Sequence, residues 1–178
     1  MRTQDDFDWL LEQEIPHLRR YAMALCGHEA EADDLVQDSL ERALRKRWLW
    51  QRQGRLRSWL FRMLYRVQLN RRRDQRHERA QLPLDQLAAE PAQAPRQLQR
   101  MECLDTIAAL GRLPEDQRSA ILLVALEDLS YEEAAWVLRI PVGTLRSRIA
   151  RGRAALRELC EAAAALPGDA SANLRRVK

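Results

Sequence analysis

The chain has 178 residues, a net charge of +4, only six glycines, and a composition led by Ala, Leu, Arg, Glu and Gln, which favours helices over strands. That length allows one ordinary domain or two small ones, and no apolar run approaches the length of a membrane span. Cys26, Cys103 and Cys160 are odd in number, far apart and in no CxxC or Cys/His spacing. Reduced thiols in a cytoplasmic protein are therefore expected, two of them facing the core, with no metal site and no cofactor. The acidic N-terminus is unlike a secretory signal.

The charge is segregated. From Met1 to Glu41, eleven acids are opposed by Arg2, Arg19 and Arg20 alone; from Arg42 to Arg79, fourteen Arg or Lys face only Asp74 and Glu78. Such a split fits either two partners of opposite character, one a polyanion, or a charged solubilising surface.

In chain order, Leu10, Ile15, Leu18, Tyr21, Ala22 and Leu25 recur at helical spacing, and Gly27 is a natural stop. A second helix carries Leu35, Val36, Leu40, Ala43 and Leu44 on one side and Asp33, Asp34, Gln37, Asp38 and Glu41 on the other. After an irregular stretch containing Gly54, Ser58 is the expected N-cap of a third helix with Trp59, Leu60, Met63, Leu64 and Val67 as its buried stripe. Arg62, Arg66, Asn70 and Arg73 share its outward face. Between Leu82 and Arg96 three prolines interrupt every period, which predicts an extended linker. Helical signals resume near Leu98 and run to Leu166, and the tail beyond Pro167 is small, polar and basic.

The strongest local pattern is Leu129 to Arg157. Ser130 followed by Glu133 is a capping box, Ala135 is small where two helices would cross, and Arg139-Ile140-Pro141 ends one helix and starts the next. Leu145 and Ile149 can pack back onto the first helix. This is a helix-turn-helix, and its second helix bears Arg146, Arg148, Arg151 and Arg153 with no acid from Arg139 to Arg157. Arginines so placed suit guanine edges and phosphates in a major groove.

PVGTLRSRIARGRAALR, preceded by LPEDQRSAILLVALEDLSYEEAAWVL, resembles region 4 of the extracytoplasmic-function (ECF) sigma factors. LRRYAMALCGHEAEADDLVQDSLERAL and SWLFRMLYRVQLNRRRDQR resemble the polymerase-binding and −10-reading segments of region 2. The resemblance covers most of Leu18 to Leu159, in the family's order. It implies an all-α chain of two small helical domains: region 2 over 1–81, a linker over 82–97, region 4 over 98–166 and a tail over 167–178. It further implies an alternative sigma factor with core RNA polymerase (β′ clamp helices and β subunit), promoter DNA and an anti-sigma factor as partners. No small-molecule substrate is expected.

Carried over position by position, the polymerase-binding set is Asp34, Leu35, Gln37, Asp38 and Glu41, an acidic face that by itself would sooner be read as the solvated side of an amphipathic helix and that the motif context turns into a partner surface. The −10 set is Trp48, Trp50, Arg52 and Arg55 in the loop that would receive an extruded base, with Arg62, Arg66, Asn70 and Arg73 on the reading helix. Trp59, on the apolar stripe, is expected in the core. The family often has Asn at Arg66 and Asp at Asn70, departures that bear on −10 sequence preference. The −35 set is Thr144, Arg146, Ser147, Arg148 and Arg151. At Arg139 the family often has Gly, and a left-handed conformation there costs Arg about 1 kcal/mol. The linker fits a path through polymerase channels and a passive tether equally well.

A stand-alone helix-turn-helix regulator would explain Leu129–Arg157 but not the acidic helix or the Trp/Arg segment. A nonspecific RNA-binding or architectural protein would use the arginines alone. An enzyme is not expected: no HExxH, GxSxG, P-loop or dinucleotide fingerprint is present, and His17, His28 and His77 form no constellation and read as surface residues.

Overall fold

A computed structural model describes residues 2–50, 55–81 and 108–164. The expected linker, most of its junction with the second half, the tail, Arg52 and Cys103 lie outside the described residues. Every described element is helical, and no helix is long and apolar enough to cross a membrane.

Helix α1, Arg2–Cys26, buries Phe7, Leu11, Leu18, Tyr21, Ala22 and Leu25. Gly27 ends it with φ +79°, its N–H donating to the Met23 carbonyl at 2.9 Å, a left-handed cap that glycine adopts without a Cβ clash. Helix α2, Glu29–Arg45, has acids in its first turn and Arg42 and Arg45 in its last, matching the helix dipole. Its buried side is Ala32, Leu35, Val36, Ser39 and Ala43, and the Ser39 hydroxyl is satisfied by the Leu35 carbonyl at 2.6 Å. A 3₁₀ turn, Arg47–Leu49, leads towards helix α3, Leu56–Gln81.

Helix α3 starts two residues before the expected cap. Ser58 therefore lies inside the first turn, buried, where its hydroxyl donates to Glu133 at 3.4 Å instead of capping the helix. The buried stripe is also wider than predicted: Leu60, Phe61, Leu64, Tyr65 and Val67 are buried, while Trp59 and Met63 are only half-buried. The cause is position, because α3 is packed by α1 and α2 and also by a helix of the second half. Tyr21 and Phe61 meet edge to face, centroids 5.2 Å apart.

In the second half, residues 108–112 are helical and precede α4 (Glu115–Ala125), α5 (Tyr131–Leu138) and α6 (Val142–Ala164). The Ser130 hydroxyl accepts from the Glu133 N–H at 3.1 Å, and the Ser130 N–H donates to the Glu133 carboxylate at 3.0 Å, so the predicted capping box is formed. Arg139 closes α5 in the left-handed region, φ 57° and ψ 44°. Leu145 and Ile149 are buried against α4 and α5, as their spacing predicts. A Cβ built on Gly152 would meet Ile121 Cδ1 at 2.6 Å and Gln117 Cβ at 3.2 Å, so α6 and α4 approach closely here and a larger residue would require Ile121 to shift.

The two halves share one core. Helix α1 packs on α4 and α3 on α5, and a single apolar cluster runs from Phe7 to Ile149. Polar clasps edge this seam. Arg118 of α4 donates to the Leu25 carbonyl at the end of α1 and to the Gly111 and Leu113 carbonyls, and Arg72 pairs with Glu115 at 2.6 Å. Burial lowers the Arg118 guanidinium from its ordinary value, though it keeps its proton.

Candidate nucleic-acid interface

The helix-turn-helix presents its arginines unevenly. Arg146, Arg151 and Arg153 are exposed along α6, with Arg146 stacked 5.9 Å from the Tyr131 ring centroid. Thr144 and Ser147 lie on the same first turns, the Ser147 hydroxyl donating to the Thr144 carbonyl at 2.9 Å, and Arg151 Nε reaches the Ser147 carbonyl at 3.3 Å. Arg148 departs from the prediction. It is half-buried and paired with Asp116 at 3.2 Å, because its position on α6 faces α4 rather than outward. In this conformation its guanidinium is engaged by Asp116 and by the Tyr65 hydroxyl of α3.

On α3, Arg66, Asn70 and Arg73 are exposed, and Arg62 is half-buried. A cleft of about 460 Å³ gathers Arg62, Arg66 and Asn70 with Trp59, Arg42, Lys46 and Trp136. Its cations and the Trp59 indole are the pairing that holds single-stranded nucleic acid: charge for the backbone, a ring for the bases. Burial lowers the Arg62 guanidinium from its ordinary value, and the like charges of Arg139 and Arg66 add to that. Trp48 stands free, 75% exposed. Trp50 does not: its ring lies 5.4 Å from Phe7, and its indole N–H is buried without a partner among the described residues. Trp50 completes an aromatic cluster with Phe7 and Trp59, which engages part of the ring the sequence offered to an extruded base. Trp59, expected in the core, contributes to both core and cleft.

The acidic face of α2 is likewise divided. Asp34, Gln37 and Glu41 are exposed; Glu41 also pairs with Arg45 at 3.3 Å, an i,i+4 contact of small energy. Asp38 is clasped by Arg71 at 2.7 Å, which also donates to the Asp34 carbonyl. Leu35 is fully buried, so it fixes the helix and has no side chain to offer a partner.

Glu127 was not singled out by the sequence. It follows α4, is 1% exposed, and lies in the seam between the halves. Arg20 donates to both its oxygens, at 2.9 and 3.0 Å, and to the Leu126 carbonyl at 2.9 Å. These bonds push the Arg20 guanidinium still higher. His17, expected at the surface, donates through Nδ1 to Glu127 at 3.1 Å and accepts at Nε2 from Arg57 at 2.9 Å; Arg57 also donates to Glu14 at 2.7 Å. A buried carboxylate requires such pairing, but the partners stand 107 and 110 residues away, beyond any local periodicity. Trp136 gave a clearer signal: it is an aromatic residue opposite the apolar stripe of the first motif helix.

A helix-turn-helix with a basic second helix, packed behind a bundle whose third helix pairs arginine with tryptophan, defines a two-part DNA-binding transcription protein. The family description "Sigma2 domain of PhyR" matches residues 11–65, and that of sigma-70 region 4 matches residues 104–156. The ECF RNA polymerase sigma factor EcfG of Rhodopseudomonas palustris is 37% identical over 148 residues, 82% of this chain and 80% of that protein. Among solved structures, the sigma factor RpoE from Bartonella quintana, in complex with the anti-sigma factor NepR, has a TM-score of 0.69 and 33% identity over 88% of this chain and 97% of that one. CnrH, in complex with the cytosolic domain of CnrY, has a TM-score of 0.67 and 27% identity over 90% of each chain. The chain belongs to the ECF RNA polymerase sigma factors, and its function is that of an alternative sigma factor.

Proposed function

We propose that the chain binds core RNA polymerase through the exposed acids of α2 and directs it to promoters whose two elements are read by its two halves. Residues 1–81 act as region 2, 82–97 as linker, 98–166 as region 4 and 167–178 as a tail. Asp34, Gln37 and Glu41 face the β′ clamp helices, with Asp38 available once Arg71 releases it and Leu35 supporting the face from beneath; the β subunit is a further contact. Acid on this side and base on the other suits a basic partner and a polyanion at once.

The observation that carries the reading is the gathering of Arg62, Arg66, Asn70 and Trp59 into one cleft on α3, in a chain that matches both sigma domains. There the −10 non-template strand is captured, with Trp48, Arg55 and Arg73 flanking and Arg52 as a further contact. On α6, Thr144, Arg146, Ser147 and Arg151 read the −35 element, a bidentate Arg contact being worth about 1–3 kcal/mol of discrimination. An anti-sigma factor covering both halves keeps the chain inactive, as the complexes described for RpoE and CnrH suggest. The chain works in the cytoplasm, where polymerase is, and catalyses no reaction itself.

The test is transcription from the DNA upstream of its own gene by core polymerase, with and without the chain. Start-site-specific RNA that needs both components supports the reading, and failure to bind core polymerase refutes it.

A further inference from the structure

Helix α5 buries Ala134, Ala135, Val137 and Leu138 and packs on α3. Two of its less buried side chains, one turn apart, meet two of the cations assigned above to the promoter strand. Glu133 Oε1 lies 3.4 Å from Arg55 Nε, while its other oxygen keeps the capping box with Ser130. The Trp136 ring lies under Arg62, whose guanidinium carbon is 4.1 Å from the ring centroid. An anion and a flat aromatic ring thus occupy Arg55 and Arg62. A melted strand offers the same two chemistries to such a face, a phosphate and an unstacked base.

We infer that the first helix of the helix-turn-helix stands in for melted promoter DNA: in the free chain α5 occupies the reading face of α3, and the non-template strand binds by displacing it. The inference rests on the assignment of Arg55 and Arg62 to that strand. Closure is anchored independently of those groups. Arg20 and His17 hold the buried Glu127, Arg72 holds Glu115, and Arg118 holds the end of α1. Displacement then weakens the apparent affinity for DNA by the fraction of chains that are open. Polymerase, which separates the halves to span two promoter elements, would remove that penalty.

The test uses the full chain without polymerase. Spin labels at exposed Leu44 of α2 and Ala154 of α6 (L44C and A154C, with the three natural cysteines as serine) report the distance between the halves. The unaltered interface should give one narrow distribution, and Glu127→Gln with Trp136→Ala a broad, longer one. Trp136 is 45% exposed, so its removal leaves the core intact, which a thermal melt confirms. In parallel, a fluorescent single-stranded 12-mer of mixed sequence is titrated at low salt. Trp136→Ala changes no charge, and it should tighten binding about two- to fivefold, the range of one cation–π contact at a partly exposed site. Glu133→Gln, which can still close the capping box, should also tighten binding, and more than the charge-matched Glu132→Gln on the solvent side.

A broad distance distribution in the unaltered protein would overturn the inference, because α5 would then not rest on α3. So would an opened chain that binds the oligonucleotide no better while Arg62→Ala in that chain still weakens binding; the DNA role would survive and the competition would not. If Arg62→Ala has no effect in the opened chain, the assignment of Arg62 itself fails and takes the mimicry with it, whatever the distances show.

Discussion

Arg139 sits where a left-handed backbone is required to turn from α5 into α6, and the strain this stores can be measured. At φ 57° its Cβ crowds the following carbonyl, costing an L-residue about 1–2 kcal/mol. Glycine removes that cost but gives back roughly 0.5–1 kcal/mol through the greater freedom of its unfolded chain. Arg139→Gly should therefore stabilise the protein by up to about 1.5 kcal/mol. For a chain of this size that corresponds to a rise in melting temperature of up to roughly 6 °C. The assay is urea or thermal unfolding of the full chain, read by helix content, with two companions. Arg139→Ala keeps the backbone cost while removing the like charge that faces Arg62. Asp128→Gly relieves a second positive φ, of 53°, at a residue type that tolerates it better, so its gain should be smaller. If Arg139→Ala stabilises as much as Arg139→Gly, the relief is electrostatic and the backbone argument is wrong.

Trp48→Ala should leave stability within about 0.5 kcal/mol, as for most exposed positions, yet impair opening of duplex promoters more than binding to pre-melted ones. Trp50→Ala should instead cost about 1–3 kcal/mol of stability through its lost packing on Phe7; equal stability of the two variants would refute their division. Arg146→Ala should make transcription less dependent on the upstream promoter element, and a normal response to scrambling that element would remove Arg146 from the reading set. Burial, reinforced by Glu31, pushes the Cys26 thiol up to about 11, so at pH 8 it stays protonated and unreactive. Peptide-resolved alkylation should label exposed Cys160 long before Cys26. Because the folded state holds Cys26 neutral, the stability this confers is intact below the range of a free thiol and is lost as pH rises towards 11. Equal labelling of the two in native protein would contradict this.

The helices and the turn between α5 and α6 were legible because their causes are local: a capping box, a proline, and apolar residues three and four apart. The same logic failed where a residue's fate depends on a distant partner. Ser58 has the identity of an N-cap but is drawn into the first turn of α3 by the packing of α5. Leu35 and Arg148 lie at positions of the family's contact sets, yet one is turned into the bundle and the other towards Asp116. Glu127 follows α4 in a short turn, and its burial is set by Arg20 and His17 more than a hundred positions earlier. The cleft on α3 was half legible. Its arginines share a helix face, but Trp136 joins them only because the halves pack together.

That packing also ties the end of α1 to the state of the whole chain. The Leu25 carbonyl, one of the last in the helix, receives a hydrogen bond from Arg118 across the seam. When the halves part, that carbonyl loses its donor, and the final turn frays more easily although nothing in α1 itself has changed. Amide exchange at Leu25, Cys26 and Gly27 thereby becomes a built-in gauge of separation, readable by mass spectrometry in the unlabelled protein as a partner is added.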